Sequence, residues 1–475
     1  MAGVYYEKIA HINLTTGDIK VEQLDLTLAH EFIGGRGLGA KILYDEGVAA
    51  ASPLSPENKL LCVTGPLTGT VAPSSGRYAL VTKSPDTGKI TSSNSGGIWG
   101  VKLKYAGWDA IIIEGEAKEW TYISIEDSAI RLYDAREYVG VMTTELDEML
   151  KARHGADASV LSIGPAGEKQ ILLASVMNDK IRAAGRGGIG AVMGSKRLKA
   201  IVVKASRTHM DTIADLDALR AAAGCALNII RDNGSAGIGL NSLSTETVSS
   251  IINCVGSLPV RSWCLSGSER DEKQLAKPGG CYRCPVACRG ADKTGHETQH
   301  QCSSVNVFDQ CSMLCNEYGL DAIGVQRAVA AAVELHQQRK IKENECGGIP
   351  LEWNHLAEWT KRIGNPKTKL DWIMSSGADH LYEYYSMPEL YGNGKTSGRK
   401  KSSLGMTAVI DSMGQCVFPS SILGVQEYTN LLNAAVGTNC TAEQVLEIGE
   451  RIRNVEQMFN DAADTMSKVD CFSEH

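Results

Sequence analysis

Cysteine is distributed unevenly along this chain, and its distribution limits what the chain can fold into. Of the 14 cysteines among 475 residues, 13 lie beyond residue 224, and Cys62 alone precedes it. The N-terminus has no signal-peptide pattern, so we expect a reducing, cytoplasmic location in which clustered thiols bind metal rather than form a disulfide framework. The two parts of the chain are therefore predicted to differ in function.

Composition narrows the class of protein further. Apolar residues make up 43% and charged residues 22% of the chain, as in an ordinary globular protein, and the formal net charge is −7. Nucleic acid is not an expected partner, because no long basic run is present. No 18-residue apolar stretch occurs, so a membrane span is not expected either. The length predicts roughly three domains at about 150 residues each.

Residue patterns predict a sheet-rich first part and a helical second part. Short β-prone runs bounded by turn residues begin at His11, Leu60, Tyr78, Ala110, Thr121 and Ala200. One helix is predicted near Thr143–Arg153 and a buried helix over Ala322–Arg339. A capping-box pattern at Thr441–Gln444 predicts a further helix, whose apolar residues Val445, Ile448, Ile452, Val455 and Phe459 recur at helical spacing. Residues 391–403 are predicted to form an exposed linker.

The strongest local signal is the C-x2-C-x3-C run formed by Cys281, Cys284 and Cys288. Three thiolates at this spacing suit three corners of an iron–sulfur cube, with a fourth ligand from elsewhere in the chain. A zinc site completed by Cys302 or His296 is the alternative, as are cysteines that are merely buried.

A second signal is the G-R-G-x-x-G-A pattern, which occurs at residues 34–40 and again at 185–191. Glycines allow the backbone to approach an anion, and an adjacent guanidinium suits phosphate. The formal match of residues 185–190 to the dinucleotide fingerprint is weak, because no clean βαβ unit surrounds it. We therefore favour a phosphate loop for another ligand, with a purely structural turn as the alternative.

Longer ordered stretches carry a family resemblance through residues 8–205. They include PLSPENK at 53–59, TGPLTGT at 64–70, SNSGG at 93–97, GPAGE at 164–168, and ND at 178–179 with RAAGRGG at 182–188. In these stretches the chain resembles the tungsten-dependent aldehyde:ferredoxin oxidoreductases, and weaker likeness continues to about residue 460. The benzoyl-CoA-reductase-type branch of the same fold is a possible subgroup.

The resemblance implies an α+β fold, in which a β-rich N-terminal cofactor-binding base domain is followed by two mainly α-helical domains. We expect domain boundaries at 1–206, 207–400 and 401–475, the last domain being shortened. The resemblance also implies a tungsten (or molybdenum) bis-molybdopterin, a 4Fe-4S cluster and a Mg2+ ion that bridges the pterin phosphates.

Residues that match the family's pterin and phosphate contacts are Arg77, Asn94, Gly96, Arg182, Ala183, Gly185 and Arg186. Backbone oxygens of Asn94 and Ala183 would reach the magnesium ion. Two D-x-x-G-L-D/C elements hold the pterins in the family. Their matches here are residues 316–321, with Asn316, Leu320 and Asp321, and residues 411–416, with Asp411 and Gln415. Cys416 matches the distant fourth cluster ligand.

The chain departs from the family pattern in two places. An acidic active-site segment that follows Gln299 in the family is largely missing, as is a segment before Leu404 that carries a pterin lysine and a histidine. Glu297 and His300 are the remaining candidates to move protons. Cys302 is a candidate thiolate ligand of the tungsten, or else one more buried thiol.

The function implied is the oxidation of an aldehyde to a carboxylate, with electrons leaving through the cluster to ferredoxin or an iron–sulfur partner subunit. Two alternatives stay open: a reductive aromatic acyl-CoA reductase subunit, and a non-catalytic electron-transfer or assembly subunit. The expected assembly is a homodimer or a larger complex.

Overall fold

The computed structural model describes residues 4–208, 212–233, 277–286, 289–291, 297–298, 307–387 and 401–473. The first strands form a six-stranded sheet in the order β2-β1-β6-β3-β4-β5. Their bounds are β1 Lys8–Asn13, β2 Ile19–Gln23, β3 Leu60–Thr64, β4 Tyr78–Lys83, β5 Ile90–Ser95 and β6 Ala110–Glu114. The strands β3 and β4 are buried along their whole length, so the sheet is covered on both faces at these strands, whereas the edge strand β2 is mostly exposed.

A second six-stranded sheet follows in the order β11-β10-β9-β12-β7-β8. Its strands are β7 Thr121–Glu126, β8 Ala129–Asp134, β9 Ser159–Ser162, β10 Val176–Asn178, β11 Arg182–Ala184 and β12 Leu198–Lys204. Three short strands later in the chain form a small separate sheet: β13 Lys277–Gly279, β14 Arg289–Ala291 and β15 Glu297–Thr298. The predicted strands of the first 206 residues are thus confirmed.

The two large sheets repeat one topology. Each begins with an antiparallel hairpin, β1–β2 or β7–β8. The hairpin's first strand pairs in parallel with the last strand of its sheet, β6 or β12. Three antiparallel pairings then add the remaining three strands, β3 to β5 in one sheet and β9 to β11 in the other. The N-terminal domain therefore consists of two halves of equal strand order.

Helices connect these strands and then dominate the rest of the described chain. Those of the N-terminal domain are α1 Leu26–Phe32, α2 Gly35–Asp45, α3 Trp99–Tyr105, α4 Thr143–His154, α5 Pro165–Glu168 and α6 Ile189–Ser195. The later ones are α7 Leu216–Asn233, α8 Val307–Tyr318, α9 Ala322–Gln337, α10 Leu356–Gly364, α11 Lys369–Ser375, α12 Ala378–Tyr384, α13 Lys401–Met413, α14 Val425–Val436 and α15 Ala442–Ser473. This arrangement confirms the predicted fold class.

Three helix predictions are confirmed, and one linker prediction is partly wrong. Helices α4 and α9 agree with prediction within two residues, and the five apolar residues predicted for α15 are all buried. The capping box of α15 is present, because Thr441 N–H donates to Gln444 and Gln444 N–H donates back to Thr441 Oγ1. The predicted linker at 391–403 is wrong at its end, since α13 already begins at Lys401; residues 391–400 lie outside the described residues.

Each half of the N-terminal domain packs against its own set of helices. The largest core joins the first sheet to α13, α14 and α15 through residues such as Val409, Leu431 and Ile452. A second core joins Ala166 and Ala174 of the second half to α8–α12. Among the described residues, no helix has the length and apolarity that a membrane crossing requires. The domain boundaries expected from the sequence stay predictions.

Candidate functional site

Two helix-terminal segments dock at equivalent points on the two halves. In the first half, a side chain on Gly65, just after β3, would come within 2.1 Å of the Met413 carbonyl carbon. In the second half, a side chain on Gly164, just after β9, would come within 2.4 Å of the Tyr318 carbonyl carbon. Only glycine permits backbones to approach this closely. Segments 411–416 and 316–321, both predicted pterin elements, thus occupy matching positions.

Backbone hydrogen bonds fix the same correspondence. Arg77 N–H donates to the Gly414 carbonyl oxygen at 3.2 Å, and Ser175 N–H donates to the Gly319 carbonyl oxygen at 2.8 Å. Arg77 directly precedes β4 and Ser175 directly precedes β10, strands that hold the same place in the two sheets. The site is therefore built twice on one plan.

The thiols of Cys281 and Cys416 both lie near the Arg77 side chain. Nη2 of Arg77 donates to Cys416 Sγ at 3.1 Å. A Cβ atom on Gly96 would lie 2.4 Å from Cys281 Sγ and 3.4 Å from Arg77 Nε. Glycine at position 96 therefore provides the space that the Cys281 thiol occupies beside the guanidinium.

Cys284 joins the same group through the loop before β4. Its Sγ accepts a hydrogen bond from Ser74 Oγ at 3.6 Å, and the Ser74 carbonyl oxygen accepts from Cys416 N–H at 3.1 Å. Cys281 and Cys284 are half-buried and Cys416 is buried, and none of the three is in a disulfide bond. Three of the four predicted cluster ligands thus meet around residues 74–77.

The remaining predicted ligands and catalytic residues have no described side chains. Cys288, His300 and Cys302 lie outside the described residues, and Glu297 is described only as backbone in β15. The alternative zinc ligand His296 also lies outside them. Their predicted roles stay predictions.

Asn94 and Ala183 occupy equivalent positions on the edge strands β5 and β11. Asn94 pairs with Ala79 of β4, and Ala183 pairs with Met177 of β10. The buried Oδ1 of Asn94 has no hydrogen-bond partner among the described residues, a state that folded proteins rarely leave without a ligand or water. Such an acceptor suits a bound polar group at this edge.

The second phosphate candidate loop brings Gly185 and Arg186 next to Asp321, while Arg182 lies near Gly97. Arg182 is 7% exposed and its Cγ would lie 3.2 Å from a Cβ atom on Gly97. Arg186 is exposed, with Nε 3.7 Å from Asp321 Oδ2. Burial raises the pKa of Asp321, and the nearby Arg186 charge opposes this rise. A Cβ atom on Gly185 would lie 3.3 Å from Asp321 Oδ1, so this loop faces the carboxylate closely.

The first G-R-G-x-x-G-A copy has a different environment. Arg36 donates to Asp411 Oδ2 at 3.2 Å and forms two hydrogen bonds to Glu456, at 2.6 and 2.8 Å. Burial would lower the Arg36 pKa, but these two carboxylates raise it above its usual value. Burial raises the pKa of Asp411, which Arg36 partly counteracts. Arg36 therefore joins α2 to α13 and α15. The first copy of the pattern forms the start of α2, whereas the second copy follows the edge strand β11.

The other predicted pterin residues are held mainly through their backbones. The Asn316 carbonyl oxygen accepts from Thr143 Oγ1 at 2.7 Å. Leu320 is buried, and its N–H donates to the Cys315 carbonyl oxygen at 2.7 Å. Gln415 is buried with Nε2 donating to the Pro73 carbonyl oxygen at 3.2 Å. Gln415 thereby anchors the Cys416 segment to the loop at residues 73–77.

Two residues that sequence reasoning assigned no role connect the halves. Asn178 Nδ2 donates to the Gly96 carbonyl oxygen at 2.9 Å, and its Oδ1 accepts from Tyr78 and Ser95 hydroxyls at 2.9 and 2.6 Å. Asp179 Oδ2 accepts from Ile98 N–H at 2.7 Å at the start of α3. The sequence did contain a signal for these two residues, because residues 178–179 belong to the stretches that carry the family resemblance.

The donor set fits the cofactors that the resemblance implies. The thiols of Cys281 and Cys416 lie near the Arg77 guanidinium and that of Cys284 bonds to Ser74 of the same loop, a set of ligands that suits an iron–sulfur cluster. The buried acceptor on Asn94, the arginines at 182 and 186 and the close-approaching glycines suit a phosphate-bearing ligand across both halves. Among the described residues, no group of three or more His, Cys, Asp and Glu is preassembled as a metal site.

Comparison with known families gives matches over both parts of the chain. Residues 9–205 match the N-terminal domain of aldehyde ferredoxin oxidoreductase, and residues 225–391 and 369–473 match domains 2 and 3 of the same family. The chain is 36% identical to the tungsten-containing aldehyde ferredoxin oxidoreductase of Pyrococcus furiosus, over 95% of this chain and 88% of that protein. The corresponding Thermococcus kodakarensis protein is 35% identical, over the same shares of the two chains.

The aligned region with the Pyrococcus furiosus protein spans 534 positions, more than the 475 residues of this chain. That relative therefore carries internal segments without a counterpart here. Among solved structures, the chain is similar to the active-site complex BamBC of benzoyl coenzyme A reductase with 1,5-dienoyl-CoA. The TM-score is 0.79 at 22% identity, covering 98% of this chain and 90% of that one, which shows a common fold. Together these matches show that the chain is an oxidoreductase of the aldehyde ferredoxin oxidoreductase family.

Proposed function

We propose that this protein is a bis-pterin tungsten or molybdenum enzyme that oxidises an aldehyde to a carboxylate. Aldehyde and water give the carboxylic acid, two protons and two electrons. The electrons leave singly through a 4Fe-4S cluster to ferredoxin. The observation that carries the proposal is the meeting of Cys281, Cys284 and Cys416 around residues 74–77, next to Gly96 at the edge of the first sheet.

The cluster would be held by Cys281, Cys284, Cys288 and Cys416. The hydrogen bond from Arg77 to Cys416 Sγ supports this assignment, because it holds the Cys416 thiol at the same loop that Cys284 contacts through Ser74. Gly96 supports it as well, since its missing side chain leaves room for Cys281 Sγ beside the same guanidinium. Arg77 is thus proposed to contact both the cluster ligands and the pterin.

The two pterins would lie one on each half of the N-terminal domain. On the first half we assign Arg77, Asn94, Gly96, Asp411 and Gln415 to one pterin. On the second half we assign Arg182, Ala183, Gly185, Arg186, Asn316, Leu320 and Asp321 to the other. The equal strand order of the two sheets supports a pair of related sites. The backbone oxygens of Asn94 and Ala183, at matching positions, would meet a bridging Mg2+.

When bound, the tungstopterin supplies the two-electron redox chemistry. The residues of this chain position it, and the buried carboxyls of Asp321 and Asp411 are suited to hydrogen-bond the polar edges of the pterins. Burial raises the pKa of both carboxyls, while the charges of Arg186 and Arg36 oppose this rise. The relatives named above are tungsten-containing enzymes, which favours tungsten over molybdenum here.

The test is a stoichiometric assay on anaerobically purified, metal-loaded protein. An aldehyde should give its carboxylate with reduction of two equivalents of a one-electron viologen dye. No carboxylate from a panel of aliphatic and aromatic aldehydes would refute the proposal. Dye oxidation driven by an aromatic acyl-CoA, in the absence of aldehyde turnover, would favour the acyl-CoA reductase alternative.

A further inference from the structure

The loop between Cys281 and Cys284 carries Tyr282, whose hydroxyl is held by hydrogen bonds. The Tyr282 hydroxyl lies 3.0 Å from the Tyr105 hydroxyl and donates to the Gly69 carbonyl oxygen at 3.2 Å. Tyr105 also donates to Gly69, at 2.7 Å. The ring between two proposed cluster ligands is therefore held in one orientation.

Arg283 extends this aromatic group to the protein surface. Its side chain is exposed, its Nε donates to the Tyr282 hydroxyl at 3.3 Å, and its guanidinium lies 5.8 Å from the centre of the Tyr282 ring. The backbone of Arg283 has φ of 47°, a left-handed conformation that costs an arginine about 1 kcal/mol. Glycine would avoid this cost, so the guanidinium is retained at an energetically unfavourable position.

A second exposed arginine lies against another tyrosine. The Arg207 guanidinium is 5.1 Å from the centre of the Tyr6 ring. A Cβ atom on Gly107, two residues beyond Tyr105, would lie 3.3 Å from Arg207 Nη1. Tyr105 itself is buried, and we call the group of Tyr6, Arg207, Tyr282 and Arg283 the tyrosine–arginine surface.

We propose that the tyrosine–arginine surface is the docking site of a small acidic iron–sulfur electron carrier. The inference rests on the proposed function, because it names the face through which the cluster passes electrons. Arg207 and Arg283 are both exposed cations on a chain whose net charge is −7, and they would attract an acidic partner. Tyrosine and arginine are also the residues enriched at protein interfaces.

The position of this surface suits electron exit. Tyr282 and Arg283 are the two residues between Cys281 and Cys284, so a protein that contacts them lies against the proposed cluster ligands. Encounters between redox proteins bury small areas and depend on charge for orientation. Two arginines at the sides of a rigid tyrosine patch meet this requirement.

The test reverses the two charges. In Arg283→Asp the new residue tolerates the left-handed backbone, and Arg207→Glu lies outside the cluster loop. Arg220→Glu is the matched control, since Arg220 is exposed on α7 and pairs with Asp217. The probe is a purified acidic ferredoxin with two 4Fe-4S clusters. Its reduction by dithionite-reduced protein is followed at low and high ionic strength, together with iron content and viologen reduction.

We expect the double variant to reduce ferredoxin about tenfold or more slowly at low salt, with little of the parent's salt dependence. Iron content and viologen reduction should match those of the control. Equal ferredoxin rates in the double variant and Arg220→Glu would overturn the proposal. If Arg283→Asp lowers the iron content, Arg207→Glu alone must still slow ferredoxin, and an unchanged rate would refute docking here.

Two further outcomes separate this inference from the proposed function. Dithionite reduces an iron–sulfur cluster directly, so the ferredoxin arm does not require aldehyde turnover. Protein that reduces ferredoxin normally but oxidises no aldehyde would refute the proposed function and leave the docking surface intact. A change in the sedimentation of the variants without a change in ferredoxin rate would assign the surface to contacts between copies of this chain, and would overturn the docking proposal.

Discussion

Arg77 Nη2 lies 3.1 Å from Cys416 Sγ, although 339 residues separate them in the chain. This hydrogen bond joins the strand edge of the first half of the N-terminal domain to the segment that follows α13. It brings a cation and a thiol together where the proposed cluster and pterin sites meet. The contact holds the Cys416 thiol beside residues 74–77, where the proposed cluster ligands Cys281 and Cys284 also lie.

The first prediction concerns Cys416 itself. Cys416→Ser should lose the 4Fe-4S cluster or convert it to a smaller one, because a hydroxyl is a poor substitute for a thiolate toward iron. Iron per chain and electron paramagnetic resonance measure this. Cys440→Ser is the control, since Cys440 is half-buried and engages Asn433 through backbone atoms. An unchanged cluster spectrum in Cys416→Ser would remove Cys416 from the ligand set.

The second prediction concerns Gly96, whose substitution by alanine would place a Cβ atom 2.4 Å from Cys281 Sγ. We expect Gly96→Ala to displace this thiol and to lower iron content strongly. In the control Gly224→Ala, no atom lies within 4 Å of the new methyl group in α7. That control should retain all its iron and gain roughly 0.5–1 kcal/mol in unfolding free energy. Full iron content in Gly96→Ala would contradict the proposed position of the cluster.

The third prediction concerns Arg182 and Arg186. Replacing both by alanine should lower tungsten occupancy by about tenfold or more, because each charge-assisted contact to an anion contributes about 1.5–3 kcal/mol. The circular dichroism spectrum should stay that of the parent protein. A double control, Arg136→Ala with Arg220→Ala, removes exposed arginines that pair with Asp134 and Asp217. Equal tungsten content in all three proteins would show that the two arginines do not bind the cofactor.

The fourth prediction concerns the pH dependence of stability and involves Lys196. Its buried ammonium donates to the carbonyl oxygens of Pro56, Asn58 and Gly115, and burial lowers its pKa to about 8. Between pH 8 and its unfolded pKa near 10.5, the unfolded chain binds the extra proton, so this group's contribution to stability rises with pH.

The difference in unfolding free energy between the parent and Lys196→Met isolates this contribution. It should shift in favour of the parent from pH 8 to 10.5, by up to roughly 3 kcal/mol. Denaturant titrations at several pH values measure it. A difference that stays constant, or that shifts toward the variant, would contradict a lowered pKa at Lys196.

Local patterns predicted the elements of the fold better than their arrangement. The helix at 442–473 follows from its capping box and apolar spacing, both of which act within a few residues. The duplication of the two sheets was not predicted, because strand order depends on contacts between distant segments. The two G-R-G-x-x-G-A copies have the same sequence pattern but different structures, since the first begins α2 and the second follows β11.

The candidate site shows the same division. The spacing of Cys281 and Cys284 alone indicated metal binding, because ligands three residues apart can share one cluster. Cys416 has no such neighbour in sequence, and only the family resemblance singled it out before the fold brought it to Arg77. Asn178 was likewise invisible to local reasoning, since its contacts to Gly96 and Tyr78 cross between the two halves.

Metal analysis of anaerobically purified protein tests the central claim most directly. We expect about one tungsten, or molybdenum in its place, and about four iron atoms per chain. A bis-pterin enzyme with one 4Fe-4S cluster requires both metals together. Iron without tungsten or molybdenum, after expression with ample supplies of both, would contradict the account and indicate an electron-transfer scaffold. Zinc in place of iron, in a colourless protein, would contradict the cluster assignment at Cys281, Cys284 and Cys416.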